Sequence, residues 1–396
     1  MLLLPLILSL FTGCASTPPS SASKEGSSGV GSTATVSAGP ASSANGQHGA
    51  ERSSLELTFT GDLMAHDINT AMADYGLIYR DIETMLKGDD LSFVNLETPI
   101  ADALPLSTYP RFNAHSAYLQ AAINGGFDVF SLANNHSNDQ GVDGIAGTIS
   151  SFSGCGSSAQ YSGLRGKKDD AMKPVVFEKN GWRVGFLSVT EILNAYDKAA
   201  AYVYYVAPTD DGRARFLADI AKFRDEVQCD VFILSIHLNE TEYGRVVSAE
   251  KKSWFQQLAA AGVDIVWAHH PHVMQSWETV SVERNGVKQP VFFMYSMGNF
   301  ISGQRRTPDY KTPTAPREYT GDGVLLRVHL VRGDSGISEI QTTPQLVTNY
   351  IDPSAGIVVR KFDRNFLDLL TASLRPYYTR RYELMFKYLP LYPKLP

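Results

Sequence analysis

Cysteine, unbroken apolar stretches and excess positive charge are what this sequence has least of, and each shortage closes off a class of protein. Three cysteines in 396 residues, Cys14, Cys155 and Cys229, cannot build a disulfide framework. No internal run reaches the ~18 apolar residues that a bilayer-spanning helix needs. With 35 Lys and Arg against 41 Asp and Glu, the net charge is −6, a poor basis for general nucleic-acid binding. No internal repeat is found. What the chain does have is apolar mass: 43% of residues are hydrophobic and 19% charged, enough for a sizeable core and too much for a wholly disordered chain. The length exceeds one typical domain, so one large domain with appendages, or two domains, is expected.

Residues 1–13, MLLLPLILSLFTG, form an apolar segment too short to span a bilayer as a mature helix. It ends in Phe11-Thr12-Gly13-Cys14. Small residues before a cysteine resemble the lipobox of bacterial lipoproteins, in which the thiol is acylated and the preceding peptide bond is cut. Phe11 stands where leucine is usual, and no Lys or Arg precedes the apolar run. Residues 1–14 are therefore expected to be a lipoprotein signal peptide with Cys14 as the lipidation site; an ordinary signal peptide with an incidental cysteine is the alternative. Residues 15–54 are almost all Ser, Gly, Ala, Thr and Pro. Such a segment buries too little apolar surface to offset its ordering entropy and reads as a flexible linker with a reach of about 35 Å. It is either a tether that holds a folded domain clear of a membrane or a low-complexity tail without a role.

The folded domain is expected over 55–350. Leu55, Leu57 and Phe59 alternate with polar residues, a strand of period two that runs into Gly61-Asp62. A helical stretch to Lys87, a strand at Leu91–Val94, a helix around Ser116–Asn124 and a strand at Phe127–Leu132 follow. Gly154–Lys173 reads as loop. Asn180-Gly181 and Asn285-Gly286 each split a pair of strands, a strong hairpin signal. Helices near Asp211–Val227 and Glu250–Ala261 precede strands at Asp230–Ile236 and Val263–Trp267, and Gly323–Val331 is a further strand. Strands alternating with helices, interrupted by hairpins, indicate an α/β sandwich with mixed sheets. Residues 351–396, with Tyr377-Tyr378 and Arg380-Arg381-Tyr382, read as a helical extension packing on the domain, with an interfacial membrane role as the alternative.

Polar residues collect where strands end. Asp62, Glu97, Asn135 and His136, His237, and His270 and His272 all fall at or just past the C-terminal end of an expected strand. In open α/β folds that rim binds ligands. Five strands thus deliver carboxylate, amide and imidazole, which are ligands for Mn²⁺, Zn²⁺ or Fe²⁺, and the lack of cysteine argues against a structural zinc site. Singly, each residue is as well read as a turn, cap or satisfied core group; the convergence carries the argument.

Five segments carry a resemblance: Asp62 in TGDLM, Asn95-Leu96-Glu97-Thr98-Pro99, SLANNHSNDQG (Ser131–Gly141), AHHPHVMQ (Ala268–Gln275) and YSMGNF (Tyr295–Phe300). Together they resemble the CapA family of bacterial capsule-synthesis or poly-γ-glutamate-synthesis proteins, which is similar to calcineurin-like metallophosphoesterases. The resemblance implies a four-layer αββα sandwich with two mixed sheets and a site for two divalent metal ions. It implies Asp62, Glu97, Asn135, His237, His270 and His272 as metal ligands, with Glu97 in the metal-bridging position. His136 would face the substrate as a catalytic group and be oriented by Asp139; the alternative for Asp139 is a loop cap. Asn299 would line the substrate pocket or simply form a turn. Two features depart from the pattern. Met64 stands where phosphoesterases carry a histidine, with His66 as a candidate substitute. The segment His237-Leu238-Asn239-Glu240-Thr241-Glu242-Tyr243 is one residue longer than usual and lacks Trp-Gly, which displaces Glu242.

Two functions are compatible with this set. One is a metal-dependent hydrolase of a phosphoester or an anionic polymer, acting in capsule or poly-γ-glutamate synthesis, export or retention. The other is a non-catalytic lipoprotein that binds polymer or a membrane synthase. Both place the chain in the cell envelope, lipid-anchored outside the cytoplasmic membrane, with no nucleic-acid partner.

Overall fold

Leu55, Leu57 and Phe59 share one apolar layer, as their period of two requires, and that layer is where two sheets meet. The computed structural model describes residues 53–156, 159–334 and 336–387; Cys14 and nearly all of the expected linker lie outside the described residues. The first strands are β1 (Ser54–Leu63), β2 (Leu91–Leu96), β3 (Val129–Ser131) and β4 (Gln160–Ser162). Next come β5 (Val175–Lys179), β6 (Trp182–Thr190), β7 (Val231–His237), β8 (Ile265–His269), β9 (Trp277–Arg284) and β10 (Val287–Met294). The last are β11 (Asn299–Ile301), β12 (Asp322–Gly333), β13 (Gly336–Asp352) and β14 (Gly356–Lys361).

One sheet runs β14-β13-β12-β1-β2-β3-β4, with β11 added beside β1; the other runs β5-β6-β7-β8-β10-β9. Both are mixed. The β1–β4 ladder is parallel whereas β12 joins β1 antiparallel. The β6-β7-β8-β10 ladder is parallel, and an antiparallel hairpin strand closes each end, β5 on β6 and β9 on β10. The hairpins turn at Asn180-Gly181 and Asn285-Gly286, with φ of 51° and 79°, and 51° and 78°, the left-handed pairs that Asn-Gly tolerates best.

Aromatic side chains fill the space between the sheets. Phe59 stacks on Phe93 at 4.6 Å, and Trp267 of β8 crosses the gap to donate its Nε1–H to the Thr60 carbonyl at 2.9 Å. Strand β7 is buried on both faces. Val231 and Ile233 enter the inter-sheet layer, while Phe232, Leu234 and Ile236 share a second core with Phe216 and Ile220 of helix Asp210–Glu226 and with Trp254, Phe255 and Leu258 of helix Ala249–Ala261. That double burial, worth about 1.5–3 kcal/mol for each large side chain, explains its unbroken apolar run. Across the molecule, Tyr118, Leu119 and Ala122 of helix Ser116–Asn124 and Ile145 and Phe152 of helix Gly141–Gly154 share that second core with Val94, Leu96 and Phe130. The layers are helix, sheet, sheet, helix, the four-layer order expected from the resemblance.

Three details differ from the sequence reading. The stretch expected to be helical up to Lys87 holds only single turns at Asp67–Thr70, Tyr75–Ile78 and Glu83–Leu86. Asp74 interrupts it by accepting the Gly76 N–H at 2.8 Å, a local bond that competes with helix propagation. Helix Gly141–Gly154 and strands β4 and β13 were not anticipated. The sheet continues through Lys361, so the helical tail starts at Arg364 and comprises Arg364–Leu369 and Arg375–Phe386, which pack into the inter-sheet core through Phe366, Tyr378 and Tyr382. Among the described residues no helix is long and apolar enough to cross a membrane.

Candidate metal centre

The parallel ladders align the ends of their strands. Register sets Asp62 beside Asn95 and Asn299, and His237 beside Thr190 and His269. Gly61 makes the first of these junctions possible: a Cβ there would lie 1.7 Å from the Gly298 carbonyl oxygen, so no other residue lets β11 close so tightly on the aspartate strand.

Three of the expected ligands form one cluster. Ligand atoms of Asp62, Glu97 and His272 lie within 4.8 Å of one another, all buried. His272 Nδ1 contacts Asp62 Oδ2 at 3.0 Å, and its Nε2 stands 3.6 Å from Glu97 Oε1. His237 and His270 form a neighbouring pair, Nε2 to Nδ1 at 3.1 Å. Asn135 gives its Nδ2–H to Asn194 Oδ1 at 3.2 Å, which leaves its own Oδ1 buried without a partner. His270 and His272 both have positive φ, 106° and 56°, a costly backbone for residues with a Cβ and one that persists where surrounding structure enforces it.

Burial and mutual charge set the protonation of these groups. Burial raises the Asp62 carboxyl, but hydrogen bonds from His269 and His272 outweigh it and hold the group below the usual carboxylate range. Burial and then the Asp62 charge push Glu97 well above its ordinary value. Burial opposes the His272 imidazolium, yet Glu97 and Asp62 outweigh burial and raise it to about 9. Burial, followed by the neighbouring histidine, pushes His237 well down and His270 down to about 4.

The set fits divalent cations. Glu97 Oε1, Asn135 Oδ1 and His237 Nδ1 are buried with no hydrogen-bond partner, a costly arrangement for a folded protein unless something else accepts their lone pairs. Carboxylate, amide oxygen and imidazole are the donors that Mn²⁺, Zn²⁺ and Fe²⁺ share. Asp62, Glu97 and His272 are the group that would hold an ion.

Residues that sequence reasoning missed brace these ligands. Asn95 donates its Nδ2–H to Asp62 Oδ1 at 2.8 Å and to Glu97 Oε2 at 2.9 Å, and accepts from Asn134 Nδ2 at 3.2 Å. His269 reaches Asp62 Oδ1 at 3.1 Å. Asn194 meets both Asn135 and His136. Asn95 and His269 sat inside recognised motifs; Asn194 lies in a loop with no pattern to mark it. Asn299, expected at the substrate pocket, is fully buried and stands behind the ligand: its Oδ1 is 3.1 Å from His272 Nδ1 while its Nδ2 donates to Ser302, Gln304 and Thr320.

Above the cluster opens a cleft of 820 Å³, lined by His272, His136, Met64, His66 and Glu242 among others. His136 Nδ1 is 2.7 Å from Asp139 Oδ2, and its ring packs edge-on against Phe112 at 4.7 Å. Asp139 is itself fixed, accepting the Phe112 N–H at 2.8 Å. Met64 occupies an apolar position at the cleft wall. His66 lines the same cleft but is not one of the clustered ligands, and burial, then His272 and His136, push it down to about 4.

Fold and donor set together define an α/β sandwich protein with a buried carboxylate–imidazole cluster of the kind that could hold a metal ion. The chain belongs to the bacterial capsule synthesis protein PGA_cap family, whose model matches residues 56–304. It is 27% identical over 319 residues to a capsule biosynthesis protein CapA of Bacillus anthracis, covering 76% of this chain and 72% of the relative. It is 25% identical over 295 residues to a PGA biosynthesis protein CapA of Bacillus subtilis strain 168, covering 72% and 70%. Two solved structures give a TM-score of 0.42 each. One is a hypothetical protein from Thermus thermophilus at 12% identity, covering 74% of this chain and 99% of that one. The other is a phosphatase from Mycoplasma pneumoniae at 13% identity, covering 74% and 94%.

Proposed function

We propose that this chain is a metal-dependent hydrolase of the cell envelope that cuts a phosphoester or an anionic capsular polymer. The observation that carries the reading is the buried set of unpaired ligand atoms on Glu97, Asn135 and His237, together with a cleft lined by His272 of the ligand cluster and by His136, which Asp139 orients. Bound divalent cations supply a water of lowered pKa and neutralise charge on phosphoryl or carbonyl oxygens. In this reading His136 gives or holds a proton at the leaving group, a role supported by the Asp139 contact that fixes its ring through Nδ1. Phe112 packs against that ring. The printed names of the two Bacillus relatives support a capsular substrate.

Tethering through Cys14 is part of the proposal and rests on the Phe11–Cys14 segment. Labelling with a fatty-acid analogue in the native host should mark the wild type and not Cys14→Ala; equal labelling of both removes the anchor. Met64 at the cleft supports the second reading, a polymer-binding protein without turnover, because a thioether is a poor ligand for hard cations. Assaying the metal-loaded chain against a generic phosphoester and a γ-linked glutamate polymer decides between them. Hydrolysis of either supports the hydrolase; tight binding of polymer with no hydrolysis supports the binder.

A further inference from the structure

Two arginines line the cleft, and they are not equivalent. Arg306 is paired with Asp67, Nη1 to Oδ1 at 2.6 Å, so its charge is largely matched. Arg317 donates only its Nε–H, to the Gln304 carbonyl, and among the described residues no carboxylate partners its two terminal nitrogens. It is an exposed guanidinium in the same cleft as His136 and His272.

The wall that carries Arg317 is rigid for an identifiable reason. Arg305, fully buried, pairs with Asp322 at 2.7 Å and donates to the carbonyls of Glu318 at 2.9 Å and Gly321 at 2.8 Å. From the C-terminal helix, Arg381 grips Asp322 Oδ2 at 2.6 and 2.8 Å and the Pro313 carbonyl at 2.7 Å, and Tyr377 donates to Glu318. Glu318, the residue after Arg317, is thereby held directly, and Pro313 is held on the preceding side. A charged group on such a wall loses little freedom when it binds, which is how preorganisation raises affinity. The wall and the helix that braces it lie beyond residues 56–304 that match the family.

We infer that Arg317 is the residue that receives an anionic oxygen group of the substrate, a carboxylate or a phosphate, beside the metal centre. A guanidinium fork matches the geometry of both. Exposed Tyr109 and Tyr243, which line the cleft, flank the path by which an extended anionic chain enters. The placement next to the reacting bond rests on the hydrolase reading; the binding itself does not require turnover.

The test is equilibrium titration of the metal-reconstituted full chain with inorganic phosphate and, separately, with a short γ-linked glutamate oligomer. Wild type is compared with Arg317→Ala, Arg317→Lys and, as a control, Arg215→Ala on the exposed face of helix Asp210–Glu226. Arg317→Ala is expected to weaken binding of at least one probe about tenfold or more, as loss of a charge-assisted contact does. Arg317→Lys should recover part of that loss, and Arg215→Ala should change nothing. Metal content and melting temperature should match the wild type in all variants. A loss confined to phosphate marks a phosphate site, and a loss confined to the oligomer marks a carboxylate site; either supports the assignment. Wild-type affinity for both probes in Arg317→Ala, or no binding of either probe by the wild type, overturns it. Binding by a wild type that hydrolyses neither a generic phosphoester nor the γ-linked polymer defeats the hydrolase reading and leaves this assignment standing.

Discussion

Removing the amide of Asn95 should cripple metal binding although Asn95 is not itself an expected ligand. Its Nδ2 is shared between Asp62 Oδ1 at 2.8 Å and Glu97 Oε2 at 2.9 Å, so one amide sets the orientation of both carboxylates in the clustered site. Asn95 is fully buried. The bond to Asp62, whose carboxyl is held ionised, is worth about 1.5–3 kcal/mol, and the bond to Glu97, whose proton is held more tightly, nearer ~1 kcal/mol. Partners that orient ligands typically govern 10–100-fold in metal affinity, which the smaller end of that sum already supplies. Asn95→Ala and Asn95→Leu should therefore each weaken Mn²⁺ binding by about 10–100-fold in a competitive titration against a fluorescent chelator. The two variants leave different volumes, so a shared loss points to the missing donor and not to packing. Affinity within about twofold of wild type in both would refute the claim that Asn95 organises the site.

Other consequences follow from the same geometry. His136→Ala should keep metal and lose about 10²–10⁴-fold in hydrolysis, whereas Asn135→Ala should lower metal occupancy; elemental analysis and turnover on both variants separate the roles. His272 is raised to about 9, so below that pH a cation must displace its proton, and Glu97 is pushed in the same direction. Apparent affinity should fall by roughly tenfold per pH unit for each proton displaced as pH drops from 9, read by titration and by proton release. Asp322 is buried, which raises its carboxyl, but Arg305 and Arg381 outweigh burial and depress it. Its contribution is thus present above the unfolded value near ~3.9 and lost as pH falls below that. Arg381→Met should cost about 3–5 kcal/mol and move the acid-unfolding midpoint upward in a circular-dichroism titration.

Much of the site was legible because its residues end strands. Asp62, Glu97, His237, His270 and His272 each follow an apolar run whose period fixes where the rim begins, and parallel register then brings the rims together. What could not be read was pairwise support across the fold. Asn194 meets Asn135 from a loop 59 positions away, a relation no local pattern encodes. His269 was hidden by its neighbours, since the His270-Pro271-His272 spacing drew the ligand assignment past it. Strand β13 was concealed by its polar alternation and by Pro344, which breaks a strand pattern. Pro344 is tolerated because β14 pairs only from Val347 onward, so the missing N–H faces no partner strand there. The cleft wall beyond Gly303 carries no motif at all; it exists because Arg305, Asp322 and Arg381 meet from three distant segments.

The central claim is that the buried strand-end ligands are a metal centre. Its most direct test is elemental analysis of the purified full chain after reconstitution with Mn²⁺, Zn²⁺ and Fe²⁺ in turn and removal of free ion. The account predicts about one to two ions per chain for at least one metal, lost when Asp62 is replaced by alanine. Metal well below one ion per chain with all three, in protein that melts cooperatively, would contradict it.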